Sequence, residues 1–539
     1  MSAIDQWIHH WAAHRGGHVA LHTDDDTVTY ADLSARIRAA AHWLESQAVG
    51  RGHRVAFIGL NRVEQLVLLF ALARLGAILV PLNNRLSRGE HRSQIDDADP
   101  RLILATDGFA TAMIDVAGDR AVVDLDETPL PRRDDDRGVP TRRRGQLPST
   151  PTAVVGAGPG DDPVLIVYTS GTTGEPRGVV HTQGSLLYTV LNGVAHQDLG
   201  ANDCVLTNLP LFHVGGLNIQ TLPALYVGAT VVLQQQFDPG QTLALIQRHR
   251  PTQTLQVPAT MAALLAHPDL ETTDLSCLVG LNSGSSVVPP SLIRAFLDRG
   301  VPVGQVYGST ETGPTALVLR YDDGAHIGSC GKAALHTEVR IVAVGPDNAG
   351  RAESGAGSVE SGADAVDVEL GEPGELWVRG PNVFRGYWRR PEDTARAFTN
   401  GWYRTGDIGR ADPEGFVFIE DRLKDLLISG GENIYSAEVE HILAHHPAIA
   451  EVAVIGRADE RWGEVPVAVV VARAPLTIEA LRAWCQDRLA RYKQPRDLVL
   501  VETLPRTALG KVTKHVLREQ IGLRQAIAQP DANALHSER

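Results

Sequence analysis

Apolar positions along the first part of the chain fall into two alternating patterns. TVTY at 27–30 is followed by helical three-to-four spacing from Ala31 to Gln47; RVAFIGL at 54–60 reads as a strand, Val63 to Leu75 as a second helix, and AILVPLN at 77–83 as a further strand. This alternation predicts βαβ units that feed a parallel sheet. Apolar runs at 164–168, 203–207, 229–233, 254–257 and 277–281, with helical stretches between them, extend the same sheet. The pattern then changes. TEVRIVAV (337–344) and GELWVRG (374–380) read as antiparallel strands of a small β unit, and a new α+β pattern starts at DLLISGG (425–431), continuing through SAEVEHILAHH, AEVAVIG, VPVAVVVA and a helix predicted over 477–491. The expected fold is α/β: a large N-terminal domain over 1–421 with mostly parallel sheets and a small β unit, a small α+β C-terminal domain over 422–525, and a polar tail over 526–539. Residues 130–163, rich in Pro, Gly, Arg and Asp, read as a connection, and the small, acidic stretch 344–371 as a mobile insertion.

A length of 539 residues exceeds one ordinary core, in keeping with more than one domain. The net charge of −14 argues against general nucleic-acid binding, and RRR at 142–144 reads as solvated linker charge. Cys204, Cys277, Cys330 and Cys485 lie far apart without metal-ligand or disulfide spacing. The N-terminus lacks a signal-peptide apolar core, and Arg74 interrupts the most apolar stretch, 66–82. A soluble cytoplasmic protein without a transmembrane segment is expected.

One loop carries unusual chemistry. YTSGTTGEPRG at 168–178 follows the apolar run VLIV and offers glycine backbone, hydroxyls and one guanidinium, a set suited to polyphosphate oxygens. It is not a Walker loop, because Gly171 and Gly174 are too close and no Lys-Ser or Lys-Thr follows. Taken alone, the stretch has a Gly/Thr-rich surface turn as its weaker alternative reading.

Five further stretches come in a fixed order: PLFHVGG (210–216), YGSTET (307–312), YRTGD (403–407), DRLKDLLISGGENIYSAEVE (421–440) and PRTALGK (505–511). With the 168–178 loop, from TYADL near residue 29 to Lys511, they resemble the adenylate-forming superfamily, which includes acyl-CoA synthetases, carrier-protein adenylation domains and luciferases. The resemblance implies a carboxylic acid, ATP and coenzyme A as substrates, Mg²⁺ as metal, and a C-terminal domain that moves between two half-reactions. It places Thr169, Ser170, Gly171, Thr172, Thr173, Gly174 and Arg177 on the β and γ phosphates, with Arg177 where the family usually has lysine. Tyr307 would lie against adenine, with Gly308 and Ser309 in the same nucleotide-binding turn; Thr310 would sit near the α-phosphate and Glu311 on the metal, which takes hard oxygen ligands. Asp407 would hold the ribose hydroxyls, Arg422 ribose or phosphate, and Lys511 the reacting carboxylate and α-phosphate. Lys424 would be the hinge. Ser429, Gly430 and Gly431 would line a pantetheine channel, with Trp462 and Lys493 meeting coenzyme A.

Amino-acid-activating relatives carry an aspartate after the phenylalanine of the PLFH-type motif; here His213 follows Phe212, so a substrate without an ammonium group is expected. His213 would stand beside the carboxylate. Val214 to Gln220, Asn282 to Val287 (with Gly284) and Thr312 to Leu317 would wall the acyl pocket, with Asn218, Asn282 and Gln305 as polar contacts, suiting a fatty or aromatic acid. The alternative acceptor is a carrier-protein phosphopantetheine.

Overall fold

The expected alternation is realised in a computed structural model that describes residues 3–132, 160–170, 176–285, 288–323, 326–343, 366–422, 426–430, 432–505, 512, 514, 516–518 and 520–521. Among these, two sheets are mostly parallel. In one, the strands at 19–22, 230–233, 204–207, 253–256, 280–283 and 303–307 run parallel, and antiparallel strands at 27–29, 317–319 and 332–333 close its two edges. In the other, Ile78–Pro81 lies between Pro163–Ser170 and Arg54–Ile58, followed by 102–105 and 121–124. The small β unit is antiparallel, pairing 338–342 with 374–379 and 374–379 with 402–411.

Local chemistry explains the helices. Tyr30–Ser46 opens on a capping box in which the Asp32 backbone N–H donates to Thr29 Oγ1 at 3.1 Å and the Thr29 N–H to Asp32 at 3.4 Å; its buried face carries Leu33, Ile37 and Leu44. Val63–Leu75 is buried on nearly every side and stops at Gly76, whose φ of 65° suits glycine. Two sequence readings shift. The strand expected over 277–281 lies at Gly280–Ser283, because Asn282 and Ser283 are buried strand residues that the apolar pattern could not show. The helix expected over 477–491 ends at Cys485, after which the chain turns and buries Leu489 and Ala490.

Contacts divide the described residues into two compact units, one within 1–84, 91–169 and 176–424, the other including 85–90 and the described residues from 426 on. The second has its own antiparallel sheet, which a parallel strand at 497–500 extends, and a core of Leu427, Ile434, Val439, Leu443, Val454 and Val470. Most of the expected insertion at 344–371 lies outside the described residues; of the part that is described, Asp367 bridges to Val342. Among the described residues no helix is long and apolar enough to cross a membrane.

Two buried histidines make the first unit acid-sensitive. Burial pushes His181 and His196 from 6.5 down to about 4, with the Asn282 contact at 2.9 Å only partly offsetting this for His196. Both are neutral when folded, so the unfolded chain binds more protons between the two values. Stability is complete above about 6.5 and is lost as pH falls towards 4, by on the order of 3 kcal/mol per histidine. In thermal melts between pH 7.5 and 5.5, His196→Gln is expected to show a smaller drop in midpoint than the wild type; an equal drop would remove His196 as a cause.

Candidate active site

The strand Pro163–Ser170 and the strand Pro176–Thr182 bracket the Gly/Thr loop. Gly171, Thr172, Thr173 and Gly174, with the side chain of Ser170, lie outside the described residues. At the loop's two ends, Thr169 Oγ1 donates to the Arg177 carbonyl at 3.5 Å. The Arg177 guanidinium carbon lies 5.4 Å from the centroid of the Tyr387 ring, and its Nε stands 3.4 Å from an Asp393 carboxylate oxygen. That Nε is buried and has no hydrogen-bond partner among the described residues. Asp393 also pairs with Arg396.

YGSTET leaves the strand Val303–Tyr307 and makes one 3₁₀ turn over Thr310–Thr312. The Ser309 N–H donates to Thr312 Oγ1 at 2.9 Å. Gly313 ends the turn at φ 72°, where a Cβ would also lie 2.2 Å from Thr189 Oγ1, so only glycine fits. Gly308 likewise passes close to the Pro314 carbonyl. The turn buries Thr310 and Glu311. The Phe384 N–H donates to the Glu311 carbonyl at 2.8 Å and the Tyr387 hydroxyl to Glu311 Oε1 at 3.1 Å, so the carboxylate is held from both its backbone and its side chain.

Tyr307 and Asp407 meet directly: the phenol donates to Asp407 Oδ2 at 2.6 Å. Asp407 lies on the strand Trp402–Ala411, with its N–H donating to Thr405 Oγ1 at 3.1 Å and its Cα opposite that of Arg422. The Arg422 side chain, Lys424 and Lys511 lie outside the described residues.

His213 ends the PLFH stretch. Its Nδ1 accepts the Gly215 N–H at 3.0 Å, which puts the ring proton of the neutral imidazole on Nε2. Immediately afterwards Gly215–Thr221 forms a π-helix, a widened turn that recurs at functional sites and that apolar periodicity does not reveal. Its Ile219 packs with Leu209, Leu255, Val257 and Val306 in a buried apolar cluster. Gly284 lies against Val306, where a Cβ would come within 2.5 Å of the carbonyl oxygen. Of the expected polar contacts, Asn282 bonds His196, Gln197 and Tyr321, and Gln305 donates to the Ser329 carbonyl, whereas neither amide atom of the buried Asn218 has a partner among the described residues.

In the second unit, Ser429 pairs with Gly463, and the Gly430 N–H donates to the Trp462 carbonyl at 2.8 Å. Gly430 has φ 58° and lies against the Trp462 ring, 2.8 Å from where a Cβ would stand. Arg461 and Arg496 flank that ring at 4.9 and 5.9 Å from its centroid. Gly431 is outside the described residues. Lys493 is buried and donates to Glu90 and Glu438 at 2.8 Å each. Burial works against its charge, but the two carboxylates hold the ammonium protonated, while burial pushes the Glu438 carboxyl up.

Sequence reasoning missed Tyr387 and Asp393. They sit in FRGYWRRPED, whose residue types carry no nucleotide signal, and only the strand pairing of Tyr387 with Val179 brings it beside the loop.

Glu311, buried in the turn after the parallel strand Val303–Tyr307, and Arg177, at the end of the Gly/Thr loop, both contact Tyr387, an arrangement that suits a nucleotide-using enzyme. Residues 8–388 match the model of the AMP-binding enzyme family and residues 438–511 that of the AMP-binding enzyme C-terminal domain. The chain is 41% identical to an indoleacetate–CoA ligase of Aromatoleum aromaticum over 98% of its own length and 99% of the relative's. It is 38% identical to a feruloyl-CoA synthase of an Amycolatopsis species, covering 92% and 94%. Among solved structures, the o-succinylbenzoate CoA synthetase of Bacillus subtilis, bound to a product analogue, superposes with a TM-score of 0.80 at 31% identity, covering 95% and 98%. The chain belongs to the AMP-binding enzyme family. It is an AMP-forming acid–thiol ligase, an acyl-CoA synthetase that joins a carboxylic acid without an amino group to coenzyme A through acyl-AMP.

Proposed function

We propose that the preferred acid is aromatic and that the residues above divide the two half-reactions between them. The buried apolar cluster of Leu209, Ile219, Leu255, Val257 and Val306, with Ile219 on the π-helix that starts two residues after His213, carries the reading: apolar side chains suit a flat hydrocarbon face better than an ammonium group. The two relatives named for aryl acids support it. Longer aliphatic acids are the competing substrates.

In the first half-reaction a carboxylate oxygen attacks the α-phosphorus of ATP, and the bond to pyrophosphate breaks. Two anions approach, so cations and N–H donors must stand where charge grows. Arg177, with the hydroxyls and backbone of 169–174, takes the β and γ phosphates. Tyr307 packs on adenine; Gly308 and Ser309 keep the turn against the nucleotide, and Thr310 meets the α-phosphate. Asp407 accepts the ribose hydroxyls in place of the phenol it now binds, with Arg422 alongside. Glu311 fits Mg²⁺ as an oxygen ligand, since among the described residues its side chain takes one hydrogen bond, from the neutral Tyr387 hydroxyl to Oε1. Bound there, the metal would neutralise phosphate charge. Lys511 meets the carboxylate and α-phosphate.

In the second half-reaction the thiol attacks the acyl carbon and AMP leaves. Ser429, Gly430 and Gly431 line the pantetheine path, Trp462 offers coenzyme A a ring face, and Lys493 stands near it. His213, its proton on Nε2, donates towards the acyl group. Lys424 is the hinge of the C-terminal domain. The four unpaired cysteines fit a cytoplasmic setting.

The test is pyrophosphate release over a panel of aryl-acetic, cinnamic-type, fatty and amino acids, with and without coenzyme A. Aryl acids are expected to give the highest kcat/KM. Higher values for fatty acids would overturn the aromatic assignment, and turnover only with a phosphopantetheinyl carrier protein would replace coenzyme A as acceptor.

A further inference from the structure

We propose that Tyr387 is a positioning residue that ties the phosphate-side cation Arg177 to the metal-side carboxylate Glu311, an inference that rests on the roles given to those two residues above. The strand at 386–387 pairs antiparallel with 176–182, Tyr387 opposite Val179 and Gly386 opposite Val180. Arg177 is therefore the diagonal neighbour of Tyr387 on the same face, within reach of a long side chain. The contact is made: the guanidinium lies over the phenol ring at 5.4 Å, a cation–π arrangement worth more when shielded from water. At the far end of the same ring, the hydroxyl donates to Glu311 Oε1 at 3.1 Å. One side chain thus touches both groups that would handle the triphosphate.

The ring itself is fixed. Phe384 packs edge-on against it at 4.9 Å, and the Phe384 N–H also holds the Glu311 carbonyl. The Tyr387 N–H donates to Thr394 Oγ1 at 2.9 Å, on the short helix Pro391–Ala397 that also carries Asp393 beside Arg177. Segment 384–394 therefore sets the positions of the anion and the cation together. A planar guanidinium can lie on the ring and still turn its fork outward, whereas a lysine ammonium is a compact point charge, so Arg177 is matched to Tyr387.

Tyr387→Phe keeps the ring under Arg177 and removes only the donor to Glu311. The Mg²⁺ concentration for half-maximal pyrophosphate release is expected to rise about tenfold, the size of one hydrogen bond to a charged group. KM for acid and coenzyme A should stay within twofold. Calorimetric titration of the full chain with ATP alone gives a readout without turnover: Tyr387→Phe should weaken binding in Mg²⁺ but not in EDTA, whereas Tyr387→Leu should weaken it in both, because the platform of Arg177 is gone. Tyr387→Leu also repeats the metal measurement if the first variant folds poorly. Wild-type metal dependence in Tyr387→Phe, or a common shift of all KM values with a lower melting point, would overturn the proposal. Glu311→Gln separates the two levels. If it raises the metal requirement and Tyr387→Phe does not, only the role of Tyr387 fails; if Glu311→Gln changes nothing, the metal assignment of Glu311 fails with it.

Discussion

Replacing Lys511 by alanine is expected to slow acyl-AMP formation by about 10²–10³-fold, the scale for removing one group that stabilises developing charge at a reaction centre. The carboxylate and the α-phosphate repel each other as they meet, and in the proposed mechanism Lys511 serves only while that bond forms. Thioester formation from chemically supplied acyl-AMP and coenzyme A should therefore stay within a few-fold of wild type. Both half-reactions can be followed separately by chromatography of AMP, acyl-AMP and acyl-CoA. Equal damage to both steps would mean that Lys511 serves a single fixed site, and the alternation of C-terminal faces would have to be abandoned.

The second large effect belongs to Arg177. Its Nε is buried and unbonded among the described residues, and the Asp393 carboxylate that it faces at 3.4 Å also has Arg396 as a counter-ion. A phosphate could engage the guanidinium without stranding Asp393. Arg177→Ala is expected to weaken kcat/KM for ATP by ~1.5–3 kcal/mol, roughly ten- to 150-fold, with KM for the acid little changed. Arg177→Lys should restore most of it, since the charge returns while the fork and the ring contact do not. Wild-type kinetics in Arg177→Ala would show that the loop binds phosphate by backbone and hydroxyls alone.

Much of this was legible in the chain. The βαβ alternation, the small antiparallel unit and the change of pattern near 425 follow from periodicity, because buried parallel strands must be apolar and helices between them must be amphipathic. The pairing of Tyr307 with Asp407 is different in kind. Each residue could be singled out by motif, but 100 positions separate them, and only the fold shows that the phenol donates to the carboxylate. Polar residues buried in strands, such as Asn282, hid the register of their strand, since their partners His196 and Tyr321 are remote in sequence. The π-helix after His213 left no periodic trace. Tyr387 was illegible for a third reason: its role arises from a two-residue strand edge and a ring that reaches both ways, neither of which has a composition.

Activation of the acid at its own oxygen by the α-phosphorus of ATP is tested most directly by one isotope measurement. With an aryl acid carrying ¹⁸O in both carboxylate positions, ATP and coenzyme A, the oxygen that bridges acyl carbon and phosphorus must leave with AMP. Mass spectrometry is expected to find one ¹⁸O in each AMP and none in pyrophosphate. Label appearing in inorganic phosphate, with ADP as the nucleotide product, would mean an acyl phosphate instead and would contradict the account.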